Sequence, residues 1–304
     1  MTAVVTGAAR TETERPARSA PARSARVGVP FVLVHLGVLG LFVVGWSWVA
    51  LAACAVSYAA RMLGITVFYH RGFAHRAFSM PRPVQLAGAL LGATAAQRGP
   101  LWWAATHRVH HRFTDRPGDP HSPVVDGFWH SHVGWLFRPA PATGAARVAD
   151  LERYPELRLV DRAHHVVVLA MAAGTFAAGA VLATLDPALH TSGPQLLVWG
   201  FFVSTVLLYH ATFSVNSVAH RFGRRRFDTR DASRNNGLVA LLTMGEGWHN
   251  NHHRFPPSAR QGLGRFEVDP AWWCIRAMAE LHLASGLRPV PASVWAEAGL
   301  DVGR

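Results

Sequence analysis

The sequence predicts an all-α integral membrane protein, four transmembrane helices with a cytosolic helical cap holding a histidine-rich di-metal site. Three observations point there. Four stretches of the chain are apolar and free of formal charge over lengths that suit bilayer spans. The 30 cationic side chains are all arginine, and they gather in segments that would share one side of the membrane. Nine of the 18 histidines fall in short clusters beside the apolar runs. Half of the residues are apolar and the mean hydropathy is +0.14, so the polar part is modest.

Residues 1–26 are rich in Ala, Arg, Pro, Ser and Thr without an apolar period, and read as a disordered basic tail. The tail is too long for the n-region of a cleaved signal peptide. Residues 27–304 form the membrane domain. No residue from 27 to 60 carries a formal charge, which is too long for one span of about 20 residues and suggests a hairpin of two. Its break falls at Gly45-Trp46-Ser47-Trp48, where paired tryptophans suit an interface. The second span runs on past Arg61 and delivers His70 just beyond the bilayer. Residues 84–96 are too short to span and are expected to be re-entrant or interfacial. Residues 166–185 and 196–214 supply the third and fourth spans, joined by 186–195.

Neither connection, near Trp46 or at 186–195, contains arginine. The positive-inside rule then places both termini and every histidine cluster in the cytosol. The net charge of +12 is assigned to anionic lipid headgroups and not to nucleic acid, because the arginines flank apolar segments and form no basic surface helix. Arg224-Arg225-Arg226, after the fourth span, is expected to bind phosphate of a lipid or of coenzyme A. Two cysteines without a CxxC spacing exclude a thiolate metal site, so the ligands must be imidazoles.

The clusters read His70-Arg-Gly-Phe-Ala-His75, His107-Arg-Val-His110-His111, Asn216-Ser-Val-Ala-His220 and His249-Asn-Asn-His252-His253. At about 100° per residue, His107, His110 and His111 share one face of a helix, and His249, His252 and His253 repeat the pattern. Asn216 and His220 lie one turn apart in a continuation of the fourth span. His70 and His75 would stand about 140° apart on an ideal helix, so a break at Gly72 is needed to aim both at one site. His121, His130 and His132 are expected to be supporting or structural residues, and His35, His190 and His282 simply packed or solvated ones. Nine neutral imidazoles exceed one tetrahedral zinc and suit two ions, but imidazole accepts iron, copper, nickel and zinc alike. A ferritin-like site needs two Glu-x-x-His motifs, and only Glu246-Gly-Trp-His249 is present.

These boxes, with Asp119-Pro-His121-Ser, Ser131-His-Val-Gly-Trp135 and Gly245-Glu-Gly-Trp248, resemble the membrane fatty-acyl desaturase family of the stearoyl-CoA and Δ9 type over residues 30–284. The resemblance implies a di-iron centre with His70, His75, His107, His110, His111, His220, His249, His252 and His253 as ligands. It also implies a water bridged by Asn216, and a bent tunnel leading an acyl chain past the metals. O2 and two electrons would then remove two hydrogens and leave a cis double bond in a long-chain acyl-CoA at Δ9. The family's acyl-CoA enzymes of animals carry Arg-Asp before the second box, where this chain has Ala105-Thr106. The stretch around the second box resembles plant and cyanobacterial members more closely, some of which act on acyl-lipid. No His-Pro-Gly-Gly of a fused cytochrome b5 is present, so electrons must come from a separate ferredoxin or cytochrome b5 with its reductase.

Two rivals are weighed. A fatty-acyl hydroxylase would use the same chemistry with a different product. A non-enzymatic metal-binding or transport protein would place ionisable residues within the spans, where only His35 and His210 qualify, with no evident partner.

Overall fold

A computed structural model describes residues 21–138, 146 and 148–301. The first 20 residues of the expected tail lie outside these bounds. Helix α1 (Pro21–Gly37) begins six residues before the expected start of the membrane domain. It continues through a 3-10 turn, Val38–Gly40, into the short α2 (Leu41–Val44). Among the described residues every regular element is helical, with isolated backbone bridges and no strand.

The expected hairpin break is present. The chain turns at Gly45, whose φ of 63° favours glycine, and Ser47 then caps α3 (Trp48–Leu63) by accepting the Ala50 N–H at 3.1 Å. Trp46 and Trp48 are exposed and meet edge to face, as residues of a membrane interface do. α3 runs without interruption into a π-helical segment, Gly64–Ala74.

Three helices are long and apolar enough to cross a bilayer: Trp48–Ala74, Pro155–Leu185 and Gly193–Ser217. The first expected span corresponds to the shorter apolar helix Gly28–Val44, about 25 Å at 1.5 Å per residue. Of the apolar window in α8 (Pro155–Leu185), 6% is buried inside the protein, against 56% in the Gly193–Ser217 helix. α8 therefore faces outward, and the Gly193–Ser217 helix is central. That helix comprises α9 (Gly193–Leu196), a π segment (Leu197–Val203) and α10 (Ser204–Ser217). Arg61 is buried inside the second span, where Thr205, the Thr94 carbonyl and Ser204 satisfy its guanidinium.

The stretch expected to be re-entrant is α4 (Arg82–Ala93), which packs between Gly64–Ala74 and α8. α5 (Pro100–Phe113) follows, then α6 (Phe128–His132) and α7 (Ala149–Glu152). After α10 come α11 (Gly237–Leu242), α12 (His249–Arg254), α13 (Pro270–Glu280) and α14 (Ala292–Glu297). The largest buried apolar cluster joins α3, α4, α5, α8 and α10 beneath the histidines, and a second joins the π segment to α13.

Candidate metal centre

Each histidine cluster is placed by a different local device. The first uses the π turn. His75 N–H donates to the His70 carbonyl at 3.1 Å, an i→i+5 bond, and Ala77 N–H to the Arg71 carbonyl at 2.8 Å. Residues five apart stack in this geometry, so His70 and His75, the latter at the helix cap, face one site. The helix does end between the two histidines, but at Ala74 and not at Gly72: His75 is its cap, and Arg76 then turns the chain away with φ of +51°. Arg108 of α5 donates to the Phe73 and Ala74 carbonyls left free at that end, and bidentately to Asp150 at 2.7 and 2.9 Å. The first and second clusters are tied together by that arginine.

The second cluster lies on α5, as its spacing predicts. Backbone N–H groups of Leu101 and Trp102 donate to Asp161 of α8, at 2.9 and 3.0 Å, which caps α5 from a neighbouring helix. The approach needs glycine before the proline, because a Cβ on Gly99 would meet the Asp161 Cα at 2.4 Å. The third cluster lies on α12, with His249, His252 and His253 turned inward. Asn250 and Asn251 turn the other way: Asn250 accepts the backbone N–H of Arg226 and Phe227, both at 2.7 Å, and Asn251 donates to the Gln261 carbonyl and to Glu267. His220 departs from its expectation, since α10 ends at Ser217 and His220 sits in the turn that follows.

The nine histidines form two groups whose ligand nitrogens lie within 4.8 Å of one another: His70, His75, His107, His111 and His252 in one, and His110, His220, His249 and His253 in the other. In the first, Nε2 atoms face each other, from 2.7 Å between His75 and His107 to 3.2 Å between His70 and His252. In the second, Nε2 of His220 and His249 stand 3.0 Å apart.

The outer nitrogens explain why the inner ones converge. Nδ1 of His70 donates to Glu246 at 2.5 Å, His110 to Asp119 at 3.0 Å, His220 to Asp115 at 2.9 Å and His253 to Asp231 at 3.0 Å. A carboxylate on Nδ1 holds the proton there and leaves the Nε2 lone pair pointing inward. Buried lone pairs aimed at one another at these distances repel unless a cation lies between them, so the donor set fits two metal ions. The buried Nε2 of His253 also has no hydrogen-bond partner among the described residues.

Electrostatics agrees. Burial, then the charge of neighbouring imidazoles, holds His107, His111, His249 and His252 well below the usual imidazole range. Burial likewise lowers His253 to about 4 despite Asp231. For His110 burial also opposes protonation, but the Asp119 carboxylate prevails and the pKa rises. Burial opposes the charge on Asp115, Asp119, Asp231 and Glu246, yet their histidine partners keep all four below the carboxylate range. Neutral ligands ringed by four anions suit a multiply charged metal pair.

Asp115, Asp231 and Gln261 have no signal in the sequence reading, because each meets its histidine only through folding; Gln261 stands 3.3 Å from Nδ1 of His252. Glu246 is paired with His70 across the fold instead of acting as a Glu-x-x-His ligand. Beneath it Arg71, fully buried, bridges Glu246 and Asp269. His121 is buried against His110 and Trp135, with its backbone N–H on Asp119. His130 and His132 belong to neither group. The spans' two histidines are partnered after all: Nε2 of His35 and His210 are 3.2 Å apart, and His210 Nδ1 meets His132 Nε2 at 3.0 Å. Of the arginine run, Arg226 is bound to Glu267 and Asn251 beneath α12, so that member is not free to hold phosphate.

A cavity of about 590 Å³ reaches the first group at His107, passes Trp103, Asn216 and Thr212 on a largely apolar wall, and has Arg98, His164 and His165 among its lining residues. Trp103 stacks on His107 with ring centres 5.0 Å apart. Its indole N–H donates to Gln97, which donates in turn to Thr212 at 2.8 Å.

The fatty acid desaturase family model matches residues 46–285. The chain is 39% identical over 259 residues to the acyl-CoA 5-desaturase AL21 of Anemone leveillei, covering 83% of this chain and 75% of that protein. It is 37% identical over 260 residues to the sn-1 stearoyl-lipid 9-desaturase of Anabaena variabilis, 85% and 91% of the two. It is also 37% identical over 266 residues to the palmitoyl-monogalactosyldiacylglycerol delta-7 desaturase of Arabidopsis thaliana, 86% and 68%.

Proposed function

This chain belongs to the fatty acid desaturase family and is an oxidoreductase of lipid metabolism, and on that premise we propose that it inserts a cis double bond into a long-chain acyl group at a di-iron centre. The observation that carries this is the convergence of nine buried or half-buried imidazoles in two groups beside a largely apolar cavity of about 590 Å³. His70, His75, His107, His111 and His252 would hold one iron. His110, His220, His249 and His253 would hold the other, with Asn216 contributing through a water. When bound, the irons supply O2 activation able to take two hydrogens from an unactivated chain.

The protein's own residues do the rest. The carboxylates of Glu246, Asp119, Asp115 and Asp231 fix ring orientation and keep the Nδ1 protons in place. The cavity wall positions the chain and excludes water from the reacting carbons. Trp103, locked by Gln97 and Thr212, presents a rigid face beside His107.

The proposed position is Δ9, supported by the stearoyl-lipid 9-desaturase that this chain matches over 91% of its length. The carrier is coenzyme A or a membrane lipid; relatives of both kinds resemble it. Electrons come from an external ferredoxin or cytochrome b5 with its reductase. We further propose that Gly28–Val44 is a fourth span and that the termini and centre are cytosolic, supported by the lack of arginine at 45–47 and 186–195. The test is gas chromatography–mass spectrometry of lipids from cells expressing the gene. A new cis-Δ9 acyl chain is expected, and a hydroxylated chain in its place would establish the hydroxylase reading.

A further inference from the structure

The outer rim of the cavity combines two helices that do not make an extended contact with each other. α1 contributes Phe31 and Val34, and α8 contributes His164, Val168 and Leu169. Each packs on the Leu197–Val203 segment behind them, α1 also on α10 and α8 also on α4, α5 and α9. The flanks of this gap are exposed and apolar: Val32 and Leu33 on α1, Val166 and Leu169 on α8. Such a surface belongs in hydrocarbon.

The depth of the gap can be read along α8. Charged Arg158, Asp161 and Arg162 precede His164 and His165, and residues 166–185 then run without charge for about 30 Å. The two histidines therefore mark the membrane interface, with Val168 and Leu169 just inside it.

Arg98 lines the same rim. Its guanidinium lies 4.4 Å from the Trp102 ring, and among the described residues none accepts a hydrogen bond from it. The nearby Asp161 carboxylate accepts both backbone N–H groups of α5 on one oxygen, Oδ1, and its charge also acts on Arg98 without a hydrogen bond to it. Arg98 also holds a φ of +70°, a strained backbone for a side-chain-bearing residue. A half-buried arginine at the polar edge of an apolar slot, its guanidinium fork turned to the rim, suits one anionic oxygen group. Coenzyme A carries a diphosphate and a phosphomonoester and calls for several cations converging from the aqueous side. The rim has one arginine and two imidazoles, which match the single charge of a phosphodiester.

Resting on the desaturase reading above, we propose that the acyl chain enters sideways from the bilayer, still esterified to an anionic glycerophospholipid, through the gap between α1 and α8 with the lipid phosphate on Arg98. The holoenzyme would be placed in nanodiscs of phosphatidylglycerol bearing deuterated stearoyl chains, with reduced ferredoxin and its reductase and no acyl-CoA. Double bonds should appear in the intact lipid. At limiting lipid, Arg98→Gln should slow this roughly tenfold, the scale of one lost charge-assisted hydrogen bond. Arg98→Lys should recover part of the rate, and Arg158→Gln, which removes the same charge elsewhere on the cytosolic side, should match the parent.

A readout independent of turnover is photocrosslinking with phosphatidylglycerol carrying a mid-chain diazirine. It should label peptides containing Phe31, Val34 or Val168, less in Arg98→Gln. Stearoyl-CoA converted while lipid-bound chains stay saturated and uncrosslinked would overturn the proposal and leave the desaturase reading intact. Crosslinking without conversion of either substrate by iron-loaded protein would uphold the lipid site and overturn the desaturase reading.

Discussion

Asp231 and Glu246 touch no substrate, yet they decide which nitrogen of His253 and His70 faces inward. Replacing Asp231 by Asn keeps the shape but removes the anion that holds the Nδ1 proton. Iron affinity should fall roughly 10- to 100-fold, the usual effect of losing such a partner, and iron titration by mass spectrometry would read it. His252→Ala goes further by removing a ligand from the five-histidine group. Unsaturated product should vanish while membrane insertion, followed by fractionation, stays normal. His282→Ala, exposed and far from both groups in sequence, is the matching control and should leave product unchanged. Near-normal turnover by His252→Ala would sink the ligand assignment.

At the scale of elements, the π turn is the device on which the first cluster depends. Deleting one residue from the 64–74 segment would restore an α-helical register and swing His75 by about 100°. The first iron should then be lost, with no more than one iron per chain by elemental analysis; two retained irons would refute the role given to the π turn. The cap on α5 is a separate matter of stability. Asp161→Ala removes the acceptor for two backbone N–H groups and should cost about 1–2 kcal/mol, seen as a lower Tm in detergent. Two cluster geometries were legible in the sequence for a physical reason. His107-x-x-His110-His111 and His249-x-x-His252-His253 are local patterns, and a helix fixes their relative directions. His70 and His75 were not, because a π turn is a departure from the regular 3.6-residue period that spacing arguments assume.

For the whole molecule, the surplus of arginine has a kinetic consequence. Because the chain carries a formal net charge of +12, the proposed external electron donor is expected to be acidic. Purified enzyme with substrate and O2 should give at most one turnover until ferredoxin or cytochrome b5, reductase and a nicotinamide are added. The rate should then fall as salt rises, because screening shortens the reach of the attraction. Sustained turnover without a redox partner would refute the externally reduced enzyme. Because nine ligands come from four separate parts of the fold, chelation of iron should also lower Tm by removing a ligand bound to the native state alone.

The sequence by itself determined the class of protein, the hairpin break at Gly45–Trp48, the helical placing of two clusters and, through the resemblance, the family. Those are properties of composition, of local period and of motif, which survive without tertiary contacts. Only the tertiary structure decided the division of nine histidines into five and four, since residues as distant as His70 and His252 meet solely through packing. It likewise supplied Asp115, Asp231 and Gln261, paired His35 with His210, and turned Arg226 from a surface cation into a brace. Each of these depends on which side chains are brought within about 3 Å of one another, and hydrogen bonds of that length carry no trace in residue spacing.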